Sequence, residues 1–207
     1  LIEGGRVDHA AHNNDASILF DQWAFDEALG VALDFAAARD DTLVIATTDH
    51  GNANPGLCGY GRAGRAAFER TQDLRRSFEW VFAQLAAAPK PERSAAALSA
   101  LVTQATSLTI DDDGMAVLAR WLAGDRVDPC AIRARDYGPL GSIMTNLHGV
   151  AFLSPDHTAD HVELAASGPG AECIPAFMHL SDLCVVMTEA LELPPALASV
   201  HAAAGAS

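Results

Sequence analysis

Basic residues are scarce in this chain. Thirteen Lys and Arg stand against 27 Asp and Glu, a formal net charge of −14 over 207 residues. Binding to a nucleic-acid backbone needs a cationic stripe that displaces condensed counterions, so that class of partner is excluded. A small phosphorylated ligand is not, because bound cations reverse the local sign. Cysteine is equally sparse. Cys58, Cys130, Cys173 and Cys184 are far apart and no C-x-x-C occurs. That argues against a thiolate zinc site or a thioredoxin-type redox site, and leaves one or two disulfides open. No apolar run reaches the roughly 18–20 residues of a membrane span, and no signal-peptide pattern opens the chain. The chain starts on Leu1 rather than Met, and its densest motif begins at residue 3; the expectation is a piece of a longer protein.

What is present is Ala-rich and half hydrophobic, enough for a real core. Residues 3–16 read as a loop leading into a helical turn. Residues 17–39 predict a helix, with Leu19, Trp23, Ala28, Val31, Ala32 and Phe35 near a helical period. Residues 42–47 are a short β-branched and apolar run, predicting an interior parallel strand, and Gly51–Gly56 is a loop by composition. This order is a unit of a doubly wound sheet. From 61 to 147 the composition shifts to Arg, Ala and Leu. Phe68, Leu74, Phe78, Val81, Phe82 and Leu85 recur at helical spacing, with further helices expected near 93–106 and 114–123. Asp111-Asp112-Asp113-Gly114 offers a helix N-cap. Strands return at 150–153 and 162–166, and a last helix at 181–191. The expected fold class is therefore α/β: part of a doubly wound, mostly parallel sheet flanked by helices, with a helical insertion. Its core would be residues 1–60 and 148–195, its insertion 61–147 and its tail 196–207.

The residues that carry chemistry are Glu3, Asp8, His12, Asp49, His50 and His157. Asp8 and His12 are four apart, so a helical turn points both the same way. Asp49-His50 follows the apolar run Leu43-Val44-Ile45-Ala46, placing a carboxylate and an imidazole at a strand's carboxyl end, where α/β folds bind ligands. Carboxylate and imidazole are what zinc takes where thiolates are lacking. Glu3 suits a harder ion such as magnesium. Each element has an ordinary reading: an i, i+4 Asp/His pair is often a surface pair, Asp-His after a strand a cap and a loop histidine, and His157 a loop histidine. Their joint occurrence points to a centre with more than one metal ion.

Three ordered stretches carry a resemblance. They are Ile2-Glu3-Gly4-Gly5-Arg6-Val7-Asp8-His9-Ala10-Ala11-His12 followed by Phe25-Asp26-Glu27-Ala28, then Asp41 to His50, then Asp156-His157-Thr158-Ala159-Asp160-His161-Val162 with Ser167-Gly168-Pro169-Gly170-Ala171-Glu172. They resemble the carboxyl-terminal half of the alkaline phosphatase family, over roughly residues 1–57 and 148–192. The resemblance implies a phosphoric monoester hydrolase with two zinc ions and one magnesium, working through a phosphoserine. It implies that Asp8, His12 and His157 hold the first zinc, Asp49 and His50 the second, and Glu3 the magnesium. His9 matches a position that tunes phosphate and metal binding. The family's nucleophilic serine, bridging aspartate and phosphate-clamping arginine lie in its amino-terminal half, and no Ser here sits in a matching context. The implied partners are a small phosphoester and, in the full-length protein, a second copy in a homodimer; the implied location is periplasmic or secreted.

Other readings compete. A cofactor-independent phosphoglycerate mutase has a similar strand-end motif to Asp49-His50-Gly51-Asn52-Ala53 but needs a further ligand His shortly downstream, and none occurs between His50 and His148. Sulfatase-like relatives fit Asp-His but not the Glu3-to-His12 stretch. A non-catalytic metal-binding or interaction module is the remaining alternative.

Overall fold

The computed structural model describes residues 1–125 and 138–193; Cys130 and the expected tail at 196–207 lie outside them. In chain order the elements are α1 (Gly5–His12), α2 (Ile18–Ala37), β1 (Val44–Thr47), β2 (Gly51–Asn52), β3 (Pro55–Leu57), α3 (Gly61–Glu69), α4 (Phe78–Ala87), α5 (Ala95–Thr106), α6 (Asp112–Leu122), α7 (Gly138–His148), β4 (Val150–Phe152), β5 (His157–Thr158), β6 (Leu164–Ser167) and α8 (Leu183–Ala190). They fall into two compact units. One comprises Leu1–Phe25 and His50–Asp160, the other Asp26–Asp49 and the chain from His161 onward.

The first unit owes its core to helices. Phe78, Val81 and Leu85 from α4, Leu98, Val102 and Ala105 from α5, Leu118 from α6 and Leu140 and Met144 from α7 form one buried cluster. The spacing that predicts α4 is the spacing of its buried face; Phe68, read from the same pattern, stays 38% exposed instead. The helix starts are set by local chemistry. Ser94 Oγ accepts the Ala97 N–H at 3.2 Å, and Asp111 Oδ1 accepts the Gly114 N–H at 2.8 Å. Each satisfies a donor that the first helical turn leaves unpaired. Asp112 and Asp113 add negative charge at the positive end of α6.

Two short antiparallel ladders complete this unit, β2 with β5 and β3 with β4. They lie along one pair of chain segments, 51–57 against 150–158, but out of step. Three positions lead from Asn52 to Pro55, whereas five lead from Phe152 to His157, their ladder partners. The two extra residues on the second segment make a bulge at Ser154-Pro155-Asp156, a place that tolerates a proline because no ladder N–H is needed there. Opposite it, Ala53 and Asn54 take left-handed backbone angles, φ +55° and +42°. Bonds from Ala53 N–H to the Asp156 carbonyl (3.0 Å) and from Leu153 N–H to the Ala53 carbonyl (2.8 Å) hold the bulge on both sides.

In the second unit, β1 pairs with β6 in antiparallel register, Val44 opposite Ser167 and Thr47 opposite Leu164. This corrects the expectation for residues 42–47. The strand exists, but among the described residues it has one neighbour and that neighbour is antiparallel. A continuous apolar run reports burial of both faces, not the direction of the partner. Every ladder among the described residues is antiparallel, so a doubly wound parallel sheet is not what these residues build. Gly168, at φ +110°, closes the ladder, since a Cβ there would collide with the Thr42 carbonyl. The stripe expected on α2 is also only partly covered: Trp23, in the part of the helix that belongs to the first unit, is 61% exposed, and Val31 and Phe35, in the part that belongs to the second, are 71% and 60% exposed. Cys58, Cys173 and Cys184 are free.

One polar contact ties the loop after α1 to the helical block. Asp15, 3% exposed, accepts the Phe78 N–H at the start of α4 (2.6 Å) and the Ser17 N–H (2.9 Å). Burial pushes its carboxyl up to about 6, against the lowering effect of those two N–H groups. His148, at the end of α7, is 1% exposed, and burial pushes it down to about 4. Its Nδ1 accepts the Val150 N–H at 3.1 Å.

Two stability predictions follow from this packing. Leu98→Ala should remove about 2–5 kcal/mol from the unfolding free energy in urea titration, because Leu98 is fully buried in the helical core; a loss under about 1 kcal/mol would contradict the core as described. The two titrating groups act with opposite sign. Asp15 binds its proton more tightly folded than unfolded, so it adds stability as pH falls from about 6 toward 4. His148 binds its proton less tightly when folded, so it removes stability as pH falls from about 6.5 toward 4. Urea midpoints measured from pH 7 to pH 5 should therefore fall more steeply in Asp15→Asn than in the parent, and less steeply in His148→Gln. Profiles parallel to the parent would contradict both assignments.

Candidate metal centre

Helix α1 supplies the first half of the site. Asp8 and His12 lie one turn apart, with Ala10 and Ala11 between them buried against Ala53 and Ile18. Small side chains let α1 settle closely on the segment that carries β2. The Asp8 carboxylate and the His12 ring then meet, Oδ2 to Nε2 at 3.5 Å.

Strand β5 supplies the second half. His157 Nε2 lies 3.1 Å from His12 Nε2 and 3.5 Å from Asp8 Oδ1. Residues 145 positions apart are brought together by the pairing of β5 with β2. The bulge before β5 has a direct role, since it turns the Pro155 carbonyl onto His12 Nδ1 at 2.6 Å. A carbonyl only accepts, so His12 carries its proton on Nδ1 and presents a lone pair at Nε2. It follows that His157 Nε2 is the donor in the bond between the two rings.

His50 joins the same cluster. Its ring stacks on that of His157 with centroids 3.5 Å apart, and Asp8, His50 and His157 each offer a donor atom within 4.8 Å of the others. Asp8 and His157 are thus common to two overlapping triads, one completed by His12 and the other by His50. Glu3 is exposed and outside both. Asp49 belongs to the second unit, where it is exposed just past β1. His9 points away, 65% exposed, with Nδ1 3.7 Å from Glu79.

The donor set fits a zinc-sized ion. Bonds of 2.0–2.1 Å in a tetrahedron put neighbouring ligand atoms about 3.3–3.4 Å apart. His12 Nε2 and His157 Nε2 are 3.1 Å apart, and each lies 3.5 Å from a different oxygen of Asp8, Oδ2 for His12 and Oδ1 for His157, so an ion on one Asp8 oxygen draws the second imidazole toward it. The set is all oxygen and nitrogen, and three protein ligands would leave a fourth tetrahedral position open.

Two contributors escape a reading of the sequence. Asn52 Nδ2 donates to Asp8 Oδ1 at 2.6 Å and to the Asp8 carbonyl at 3.3 Å. The Pro155 carbonyl is backbone and has no residue signature. The only sequence hint of Asn52 is its place two residues after His50.

Comparison with known proteins agrees with this picture. A family model described as alkaline phosphatase matches residues 1–193. The structure is similar to that of Thermus thermophilus alkaline phosphatase, with a TM-score of 0.75 and 26% identity, covering 93% of this chain and 43% of that one. A 52-residue stretch is 46% identical to the repressible alkaline phosphatase of Saccharomyces cerevisiae, 24% of this chain and 9% of that protein. A 53-residue stretch is 45% identical to streptomycin-6-phosphate phosphatase of Streptomyces griseus, 25% of this chain and 12% of that protein. The chain therefore spans less than half the length of the solved relative, and its matched stretches only a small part of the curated ones. With a match that runs from residue 1 to residue 193 and encloses Asp8, His12, His50 and His157, the chain belongs to the alkaline phosphatase family.

Proposed function

We propose that this chain supplies the metal-binding portion of a phosphoric monoester hydrolase of the alkaline phosphatase type. The observation that supports it most is the meeting of Asp8, His12 and His157, the two imidazole nitrogens 3.1 Å apart and each 3.5 Å from an oxygen of the Asp8 carboxylate. In this reading Asp8, His12 and His157 hold a first zinc, Asp49 and His50 a second, and Glu3 a magnesium, while His9 tunes phosphate and metal binding from the exposed face of α1. Residues 1–60 and 148–195 are the α/β core, joining a mostly parallel sheet in the whole protein, and 61–147 an inserted helical block. The substrate is a small phosphoester, the nucleophile a serine outside this chain that carries the phosphoryl group, and the whole protein a homodimer in the periplasm or outside the cell. No helix among the described residues is long and apolar enough to cross a membrane.

When bound, the divalent ions supply Lewis-acid polarisation of the phosphoester and activation of the nucleophile. The chain's own residues prepare for them. The Pro155 carbonyl holds His12 in the tautomer that leaves Nε2 free to ligate. The Asp8 carboxylate offsets part of the positive charge drawn into the site. His157 must carry its proton on Nδ1 rather than Nε2 before both imidazoles can turn lone pairs to one point, and its exposed ring lets water carry the proton from one nitrogen to the other.

Three protein ligands hold zinc far better than two or one. The isolated chain should therefore take up about one equivalent of zinc, measured by chelator competition, and hydrolyse no aryl phosphate above background. His12→Ala and His157→Ala should each weaken uptake by at least ~100-fold, more than the roughly 10–100-fold typical of residues behind the ligands. Uptake indifferent to both substitutions would remove the first site from the account. Turnover by the isolated chain would place a nucleophile within it.

A further inference from the structure

Asn52 occupies an unusual position in the first unit. Its α-carbon stands opposite that of His157 in the β2–β5 ladder. Its amide nitrogen donates to Asp8 twice, at 2.6 Å to Oδ1 and 3.3 Å to the main-chain carbonyl. One residue thus touches both halves of the donor cluster, through its backbone on the β5 side and its side chain on the α1 side. Its Oδ1 is buried and has no partner among the described residues, so the side chain is oriented by what its nitrogen does. The neighbouring Gly51 permits the close approach of the ladder, because a Cβ there would meet Thr158 Oγ1 at 2.5 Å.

We propose that Asn52 is a positioning residue for the ion site, fixing the rotation of the Asp8 carboxylate so that Oδ2 stays free for the ion. The inference rests on the metal-site reading above. A carboxylate has about four lone-pair directions. The 2.6 Å bond occupies one on Oδ1 and leaves Oδ2 facing His12 Nε2 at 3.5 Å. A hydrogen bond to an ionised oxygen is strong enough to select one rotamer. An amide does this without charge. An arginine or lysine in its place would neutralise Asp8 and compete with the ion, and an aspartate would repel it. Because the same residue is in register with His157, moving Asn52 shifts the Asp8 to His157 spacing as well.

The test uses the full chain and the metal alone. Zinc dissociation constants by chelator competition, visible spectra of the cobalt(II)-loaded chain and urea midpoints without metal are compared for the parent, Asn52→Leu, Asn52→Ala and Thr158→Val. The last variant removes a hydroxyl of the same ladder that donates to Asn54 Oδ1 at 3.3 Å. Both Asn52 variants should bind zinc about 10–100-fold more weakly. Their cobalt bands should lose tetrahedral intensity, while their metal-free midpoints stay close to that of Thr158→Val. Affinity within about threefold of the parent, or a loss matched by equal destabilisation of the metal-free chain, overturns the inference. If Asn52→Leu does not fold, Asn52→Ala decides by the same criteria. A parent chain whose zinc uptake is insensitive to Asp8→Ala overturns the metal-site reading and this inference with it, an outcome distinct from strong binding that survives the loss of Asn52.

Discussion

The pairing of Gly51–Asn52 with His157–Thr158 is the contact on which the site depends. It is only two residues long, and by itself such a ladder would not persist in water. It persists because both strands continue past it, through the bonds of Ala53 to Asp156 and Leu153 and through the β3–β4 pairing. The bulge between the two ladders shapes the donor cluster directly. It inserts the two residues that bring the Pro155 carbonyl to His12. Left-handed backbone at Ala53 and Asn54 is the strained counterpart on the facing segment, of the kind that surrounding structure holds in place near functional sites.

The helical block takes part through one buried carboxylate. Asp15 lies three residues after His12 and caps the orphan N–H of Phe78, 63 residues away. The loop that ends α1 is therefore anchored to the same cluster of Phe78, Leu98, Leu118 and Met144 that holds the block together. A carboxylate buried to this degree costs stability near neutral pH. What it secures is the position of the segment leading out of the donor helix.

Local features were legible in the sequence. The 3.6-residue period gave α4 and α5, the Asp111 cap began α6, and the i, i+4 rule put Asp8 and His12 on one face. Features that depend on distant partners were not. The apolar run at 42–47 announced a strand without its direction. No spacing links His157 to His12 over 145 residues; residue type made it a candidate, and only the family resemblance joined it to Asp8 and His12. Asn52 gave no signal beyond its place two residues after His50, because a single polar side chain facing a carboxylate has no periodicity. The α2 stripe read as core, yet Trp23, Val31 and Phe35 find little cover among the described residues, since periodicity reports amphipathic character and not what lies opposite.

The central claim is that Asp8, His12 and His157 form one zinc-binding point. X-ray absorption at the zinc edge of the stoichiometrically loaded chain tests it most directly. The account predicts a first shell of oxygen and nitrogen alone at about 2.0–2.2 Å, with the outer-shell scattering of imidazole rings, lost in part when His12 or His157 is replaced. A sulfur shell at about 2.3 Å, drawn from the free cysteines, or a first shell without imidazole, would contradict it.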